Sequence, residues 1–359
     1  MPKTSINIAV LNGERYIESC LDSVFNQAYP PELMELNILD NGSTDATIRL
    51  IQNLTASRVS AFSSFKFIES KKNLGMWGGQ EELLKHSSGE YVIFLSVDVI
   101  LDKNFVVNAV KEMELDPQVG ALQAKIYQYN VSDLNSKSYV LSPTLIDTCG
   151  FKIERSRRVT NIGHGENDRG QYNRLQEIFG VEGAVPVFRR SSLESIRIPV
   201  GDGSEIADHD LFWYAEDLDV AWRIKLAGWK EIFCPNVIAW HDRQTTKDIN
   251  RSKYPSAPNL GYLRRVPKRR GIPIRKRQLE WRNIRWTIVK NDFIINVLKD
   301  LPYILWREFM VLGYTILFQP GVFAAFPELC AGIPRMIRKR KHILPKARIS
   351  AGEIHKFFK

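Results

Sequence analysis

The chain has 359 residues, 44% hydrophobic and 25% charged, enough apolar content for one large domain or one domain with a sizeable appendage. Its 50 basic residues against 40 acidic ones leave a net charge of +10, which excludes an acidic solvating class and points to an anionic partner. Cys20, Cys149, Cys234 and Cys330 lie far apart with no C-x-x-C pair. Neither a Cys-rich zinc site nor a disulfide scaffold is therefore expected, and reduced thiols are.

Taken in order, the chain opens on Met1-Pro2-Lys3 and then an apolar run, Ser5 to Leu11. That run is too short for an export signal or a membrane span and is read as a first buried strand. Glu14 to Gln27 places Ile17, Leu21, Val24 and Phe25 at helical spacing, and Pro30-Pro31 ends the unit. Leu36 to Leu39 is a second strand. The Asn41-Gly42-Ser43-Thr44 turn offers N-cap chemistry to a helix from Asp45 to Leu54. Phe65 to Glu69 is a third strand, and Lys72-Asn73-Leu74-Gly75 leads into a helix through His86. Tyr91 to Leu95 is a continuous apolar strand of the kind buried on both faces. Strands alternating with helices predict an α/β fold, a Rossmann-like, mostly parallel sheet flanked by helices, with ligands beyond the carboxyl ends of the strands. The residues there are Leu11-Asn12-Gly13, Asp40-Asn41-Gly42-Ser43 and Ser96-Val97-Asp98.

From about Gln128 to Gly180 the pattern weakens, as expected of an insertion with acceptor-side loops. Val181 to Phe188 is strand-like. Leu218, Ala221, Trp222 and Leu226 have helical spacing, with Glu216 and Asp217 at the helix start and Gly228 as a C-cap. Ile232-Phe233 and Val237 to Trp240 read as two short strands ending at His241. Basic residues then concentrate between Arg264 and Lys290, where Glu280 is the sole acid. Nucleic acid, acidic lipid and phosphorylated substrate all fit such a run. Without a zinc motif or an RNP-like aromatic signature, a nucleic-acid partner is not expected. Phe293 to Leu298, Tyr303 to Trp306 and Phe309 to Phe326 are apolar, but Gln319-Pro320-Gly321 breaks the last. A helical, basic and apolar C-terminal appendage lying at a membrane surface fits better than a full crossing; an ordinary packed helical appendage is the alternative.

Several polar residues then become candidates. Asp98, just after a buried strand, could bind a hard cation, or cap a turn. Asp40 could hold a nucleoside, or close an Asx turn. Glu216 and Asp217 offer a general base beside a second acid, or only favourable charge at a helix start. His241 could be a metal ligand or a structural imidazole.

The order of these pieces is more specific than any one of them. Asn7 to Gly13 with Leu21 to Gln27, Leu39-Asp40-Asn41-Gly42-Ser43-Thr44-Asp45, Asn73-Leu74-Gly75, Phe94 to Asp98, Glu182-Gly183-Ala184 with Phe188-Arg189-Arg190, Tyr214 to Arg223 and Trp240-His241 follow one another over Ser5 to His241. This series resembles glycosyltransferase family 2, inverting enzymes of the GT-A fold, and within it the rhamnosyltransferase-like branch. The resemblance implies a nucleotide-diphosphate sugar donor held by Leu11, Asn12, Asp40, Asn41, Gly42, Asp45, Asn73, Gly75, Ser96, Val97 and Asp98. It implies Mg²⁺ or Mn²⁺ on Asp98 and His241, Asp217 as general base with Glu216 beside it, and Glu182, Gly183, Ala184, Trp222 and Arg223 on the acceptor side. Trp281 to Trp286 resembles a stretch after the catalytic domain of the same branch and implies a glycan or polyprenyl-linked acceptor at the cytoplasmic face of the cell membrane.

Two departures stand out. Ser96 replaces the first acid of the D-x-D element, which leaves the number of protein ligands open. Around Gly201 to Asp210 an acidic stretch with Asp202, Glu205, Asp208, His209 and Asp210 offers rival carboxylates to Asp217. The expected organisation is a catalytic domain over 1–245, its nucleotide-sugar half ending near 125, and a basic linker with helical membrane-associating region over 246–359. The alternative function is a catalytically weak, nucleotide-sugar-binding scaffold of an envelope-assembly complex, which Ser96 favours. The absence of G-x-G-x-x-G after the first strand disfavours an NAD dehydrogenase.

Overall fold

The structure, a computed structural model, describes residues 1–134, 141, 144–243 and 272–359. The expected linker over 246–271, with the basic run before Arg275, lies outside the described residues. The first half alternates as β1 (Thr4–Val10), α1 (Ile17–Phe25), β2 (Met34–Asp40), α2 (Thr47–Thr55), β3 (Ser64–Glu69), α3 (Gly75–Leu84) and β4 (Tyr91–Leu95). β1 pairs in parallel with both β2 and β4, and β2 with β3, so the ends of β1, β2 and β4 open on the same edge. Ile6, Ile8, Leu36, Ile38, Ile93 and Leu95 are fully buried on one face of the sheet; on the other face β4 buries Val92 and Phe94, while β1 and β2 bury the polar Ser5, Asn7, Glu35 and Asn37.

The sheet continues through β5 (Val99–Leu101), α4 (Phe105–Leu115) and β6 (Val119–Gln128), which the sequence reading did not resolve. The weakly patterned stretch is not plain loop. It holds the short strands β7 (Ile146–Thr148), β8 (Phe151–Ile153), β9 (Val159–Asn161) and β10 (Gln176–Glu177). After them come β11 (Val187–Arg189), α5 (Arg190–Ser195), the hairpin of β12 (Ile198–Val200) and β13 (Gly203–Glu205), α6 (Glu216–Leu226) and β14 (Lys230–His241). The large sheet runs β10-β14-β6-β11-β4-β1-β2-β3, with β5 on β14 and β7 on β6. It is mixed and mostly parallel, as expected.

Two strand expectations are corrected. Val181 to Pro186 is irregular, and only Val187–Arg189 pairs. The two strands foreseen before His241 are one, with a register shift between Cys234 and Ile238. Pro235 accounts for the shift, because it has no N–H to give the ladder.

The C-terminal helices are α7 (Ile274–Asn291), α8 (Ile294–Lys299), α9 (Leu301–Phe318), α10 (Phe326–Ile343) and α11 (Ala351–His355). They pack on the sheet domain through Phe358, which meets Trp222 and Phe179, and through α7 against α6, while α7 and α10 cross each other. The crossing is close: a Cβ on Gly332 of α10 would stand 2.2 Å from the Trp286 ring of α7.

Candidate active site

The donor-side turns are built from side chains that bind backbone. After β1, Asn12 adopts a left-handed conformation (φ 51°) and its Oδ1 accepts from Thr44 N at 2.9 Å, while Ser43 Oγ accepts from Asn12 N at 2.8 Å. At the end of β2, Asp40 Oδ2 accepts from Gly42 N and Ser43 N, both at 2.9 Å. Its other oxygen is buried with no partner among the described residues, an acceptor left for a ligand. Asn41 ties this turn to the next: its Oδ1 accepts from Leu74 N and its Nδ2 donates to Gly75 O, each at 3.2 Å. Asn73 Oδ1 accepts from Gly75 N at 2.8 Å. Gly75 sits at φ +75°, and a Cβ there would also crowd the Phe212 ring at 3.3 Å. Asp45 is occupied as a turn group, accepting from Thr47 N and Glu14 N at 3.0 and 3.2 Å. Leu11 is 42% exposed beside these turns.

Beyond β4, Ser96 N donates to Ala184 O at 3.0 Å, joining the donor turn to the 182–184 segment. His241 reaches Asp98 because β14 returns antiparallel to β5, with His241 opposite Val99. Asp98 Oδ2 and His241 Nε2 are 3.3 Å apart. On the far side of the ring, His241 Nδ1 meets Asp147 Oδ2 at 2.9 Å, and Asp147 is fully buried. Arg243 Nε donates to both Asp147 oxygens, at 2.9 and 3.0 Å. Burial opposes the charge on His241, but Asp98 and then Asp147 outweigh it and raise the imidazole to about 10. With Asp147 accepting from Nδ1–H, the Nε2–H of the charged ring is directed at the Asp98 carboxylate, and a cation bound there would have to take the place of that proton. Among the described residues no group of three or more His, Cys, Asp or Glu gathers as a complete metal cage. The protein offers two donors, Asp98 and His241, and the chemistry of that pair suits a divalent cation shared with a bound diphosphate.

Arg243 connects this pair to the expected base. Its Nη2 donates to Glu182 Oε1 at 2.5 Å, and Glu182 Oε2 accepts from Ala184 N at 3.0 Å. Gly183 lies against Asp217, whose carboxylate would stand 3.4 Å from a Cβ at that glycine. Asp217 begins α6 and accepts from Leu218 N at 2.8 Å. Burial first, then the charge of Glu182, raise Asp217 to about 6. Burial and then Asp217 itself raise Glu216 further, to about 8. Environments that separate two adjacent carboxyl groups in this way leave one protonated and one ionised near neutrality.

Two acceptor-side expectations are corrected. Trp222 is fully buried against Phe179 and Phe358, and Arg223 is 2% exposed, bound to Asp219 Oδ2 at 2.8 Å and to the Ile196 carbonyl at 2.6 Å. Both lie on the inner face of α6, so they hold the helix rather than face the cleft. Three of the rival carboxylates are also structural, while Asp202 is exposed. Lys339 binds Glu205, Asp208 and Asp210 at 2.8, 2.5 and 3.1 Å, and Lys290 binds Asp208 and Asp219.

Sequence reasoning missed Asp147, Arg243 and Asn283. Asp147 fell in the weakly patterned stretch, where no periodicity marks it. Asn283 of α7 places its Nδ2 within 2.6, 2.8 and 2.9 Å of the carbonyls of Leu211, Trp213 and Tyr214. It thereby holds a loop in which Phe212, Tyr214 and Ala215 all have positive φ (39°, 71° and 66°), a strained run directly before Glu216 and Asp217.

The model of the family described as glycosyl transferase family 2 matches residues 5–197. The chain belongs to this family. Among curated proteins it is similar to the poly-beta-1,6-N-acetyl-D-glucosamine synthases of Staphylococcus epidermidis, 23% identical over 66% of this chain and 49% of that protein, and Staphylococcus aureus strain COL, 24% identical over 65% and 48%. The chain spans about half the length of these relatives. Among solved structures, the mannosyltransferase PcManGT from Pyrobaculum calidifontis in complex with GDP-Man and Mn²⁺ aligns over 99% of this chain and 85% of its own, with a TM-score of 0.52 at 18% identity. S. aureus TarS 1-349 aligns over 99% and 90%, with a TM-score of 0.52 at 16% identity. The likeness of these two establishes the fold, including its helical C-terminal region.

Proposed function

We propose that the chain is an inverting glycosyltransferase. It moves a sugar from a nucleotide-diphosphate donor to a glycan or polyprenyl-linked glycan in cell-envelope polysaccharide or O-antigen synthesis. The observation that carries this reading is the linkage of Asp217 to the Asp98–His241 pair through Gly183, Glu182, Arg243 and Asp147. Asp40, Asn41, Gly42 and the 73–75 loop hold the nucleoside end, with the unpartnered Asp40 oxygen accepting from base or ribose. Asp98 and His241 would hold Mg²⁺ or Mn²⁺, which offsets the charge growing on the leaving diphosphate. Asp217 accepts the proton of the acceptor hydroxyl as that oxygen bonds to the anomeric carbon and the bond to the diphosphate oxygen breaks. Attack opposite the leaving group inverts the centre. Arg243, bound to both Glu182 and Asp147, offsets part of the negative charge around Asp217 and favours its ionised form.

The division into a catalytic domain over 1–245 and a membrane-associating region over 246–359 belongs to the same proposal. Within it the protein is peripheral or monotopic at the cytoplasmic face of the membrane. Support comes from α9, whose 18 residues are apolar enough in composition to cross a bilayer and only 6% buried in the fold. The second reading, a weakly catalytic donor-binding scaffold, is favoured by Ser96 at the first D-x-D position.

Titration calorimetry with UDP-, dTDP- and GDP-sugars, with and without Mn²⁺, followed by turnover assays, tests the proposal. Metal-dependent binding of one donor class with turnover is expected. The panel separates dTDP-rhamnose, implied by the sequence resemblance, from UDP-N-acetylglucosamine, suggested by the names of the relatives. Binding without turnover on any acceptor would favour the scaffold, and no binding at all by folded protein would overturn the donor site.

A further inference from the structure

Between α7, α9 and the edge strand β9 lies a cavity of about 290 Å³, far larger than the ~30 Å³ share of one water. Four guanidinium groups line it: Arg158 beside β9, Arg277 and Arg285 on α7, and Arg307 on α9. Among the described residues the nearby carboxylates are fewer, Glu280 on the wall and Glu308 behind it, the latter shared by Arg285 and Arg307. Two polar atoms of the lining residues are buried and have no partner among the described residues, Arg277 Nε and Thr160 Oγ1. A buried donor left unmade is costly, so these two atoms mark the lining as polar surface that its own described residues do not fully satisfy. Of the other basic groups of α7, Arg282 is bound to Glu328, Lys290 to Asp208 and Asp219, and Lys276 lies over the Trp213 ring. At the cavity Arg285 and Arg307 share one carboxylate, Glu308, so the described lining keeps an excess of positive charge.

α9 covers the cavity and bears on what a ligand there is attached to. Arg307, Val311, Tyr314 and Thr315 face the cavity, at one-turn spacing. On the opposite face Leu305, Phe309, Leu312 and Ile316 are 59%, 66%, 47% and 56% exposed, with Trp306 and Leu317 beside them at 66% and 73%. A contiguous apolar strip of this size is a membrane or partner surface. Here it lies directly over a cationic cavity, the same juxtaposition as acyl chain and phosphate in a lipid.

We propose that this cavity binds the terminal phosphate or diphosphate headgroup of a polyprenyl lipid, with the exposed face of α9 lying against the bilayer from which that lipid comes. The assignment rests on the membrane-linked acceptor of the proposed function and gives that acceptor a second, non-catalytic point of attachment. Guanidinium forks suit phosphate oxygens bidentately, and the low-dielectric cover of α9 strengthens the pairing.

Flotation of the full chain with three kinds of vesicle tests this: phosphatidylcholine alone, phosphatidylcholine with phosphatidylglycerol, and phosphatidylcholine with a polyprenyl phosphate at matched charge. The wild type is expected to prefer the polyprenyl phosphate vesicles. Arg277→Gln with Arg158→Gln should weaken that binding about tenfold, and Arg277→Lys less. Equal binding to both anionic vesicles, or a preference that survives the double substitution, would overturn the site. So would inorganic diphosphate binding the cavity in the absence of lipid as tightly as the vesicles do, which would identify a free phosphate as the ligand. Donor titration of the same proteins without vesicles reads the transferase proposal separately. Donor binding without headgroup preference removes only the cavity assignment, whereas headgroup preference without donor binding supports the cavity and removes the transferase reading.

Discussion

In the sheet domain Ile6, Ile8, Ile38, Ile93 and Leu95 are sealed from solvent, and Asp40, Asp98 and Asp217 stand where strands end or a helix begins. In the C-terminal helices Arg282, Asn283, Lys290 and Asn291 are buried, while Trp306, Phe309 and Leu317 face outward. The polarity of the two regions is inverted. The sheet buries mostly apolar residues, with a few polar ones such as Asn7, Glu35 and Lys125, and sets Asp40 and Asp98 at its edge. The helices bury charge against α6 and the loop before it, and present their apolar residues elsewhere. The C-terminal region thus does two things, shaping the base-bearing loop from inside and offering an apolar strip outside.

Substitutions sharpen that contrast. Asp217→Asn should show the largest effect, lowering kcat about 10³-fold, within the ~10²–10⁴ range of general-base catalysis, with donor binding retained in calorimetry. In the wild type, kcat should fall as pH drops through about 6, because burial and Glu182 raise the pKa of a base that works ionised. Near-wild-type turnover by the Asn variant would remove the chemistry from this edge.

Lys290→Met should cost about 3 kcal/mol of stability in urea denaturation, since it leaves Asp208 and Asp219 short of a buried counter-charge. Burial opposes ionisation of Asp208, but Lys290 and Lys339 hold it well below the ordinary carboxylate range. Its stabilisation is therefore complete above the unfolded value of ~4 and is lost as pH falls below it. The Met variant should show a shallower loss, and an unchanged acid profile would mean that Lys339 alone sustains the pair.

Asn283→Leu should cost roughly 2 kcal/mol, as three carbonyls of a strained loop lose their donor. Asn283 is a positioning residue, so kcat should fall while donor KM stays near wild type. A stability loss with kcat intact would confine it to packing. Trp306→Ser with Phe309→Ser should be smallest in stability, within about 0.5 kcal/mol, because these side chains face outward. The same pair should still release the protein from phosphatidylcholine-rich vesicles. Unaltered flotation would break the comparison, because the apolar strip would then serve something other than a membrane.

The alternation from β1 to β4 was legible because each element there satisfies local and long-range demands at once. An apolar strand flanked by turn residues can only be buried, and its last residue must stand at the sheet edge. Asp40 and Asp98 follow from that, and Glu216 with Asp217 from the helix start at α6. The sequence could not show that Trp222 and Arg223 face inward. A helix covered on several sides carries no clear amphipathic stripe, and α6 is enclosed by β14, α5 and α7. Nor could it show that Asp147 backs His241 or that Arg243 links the two halves of the site. These contacts cross 94 and 96 residues and depend on the register of β7 on β6 and of β14 on β5.

By itself the sequence determined the alternating α/β frame, the carboxylates at its strand ends and the family that their order resembles. Local periodicity and turn chemistry are written in adjacent residues. Only the tertiary structure decided which charges are spent inside. The acids before α6 neutralise Lys290 and Lys339, whereas Arg277 keeps an unpaired N–H at a cavity beneath an apolar helix. Lys, Arg and Asp read alike in sequence whether buried or solvated. Their partners are chosen by packing, because a charge removed from water must find its counter-charge in whatever element lies against it.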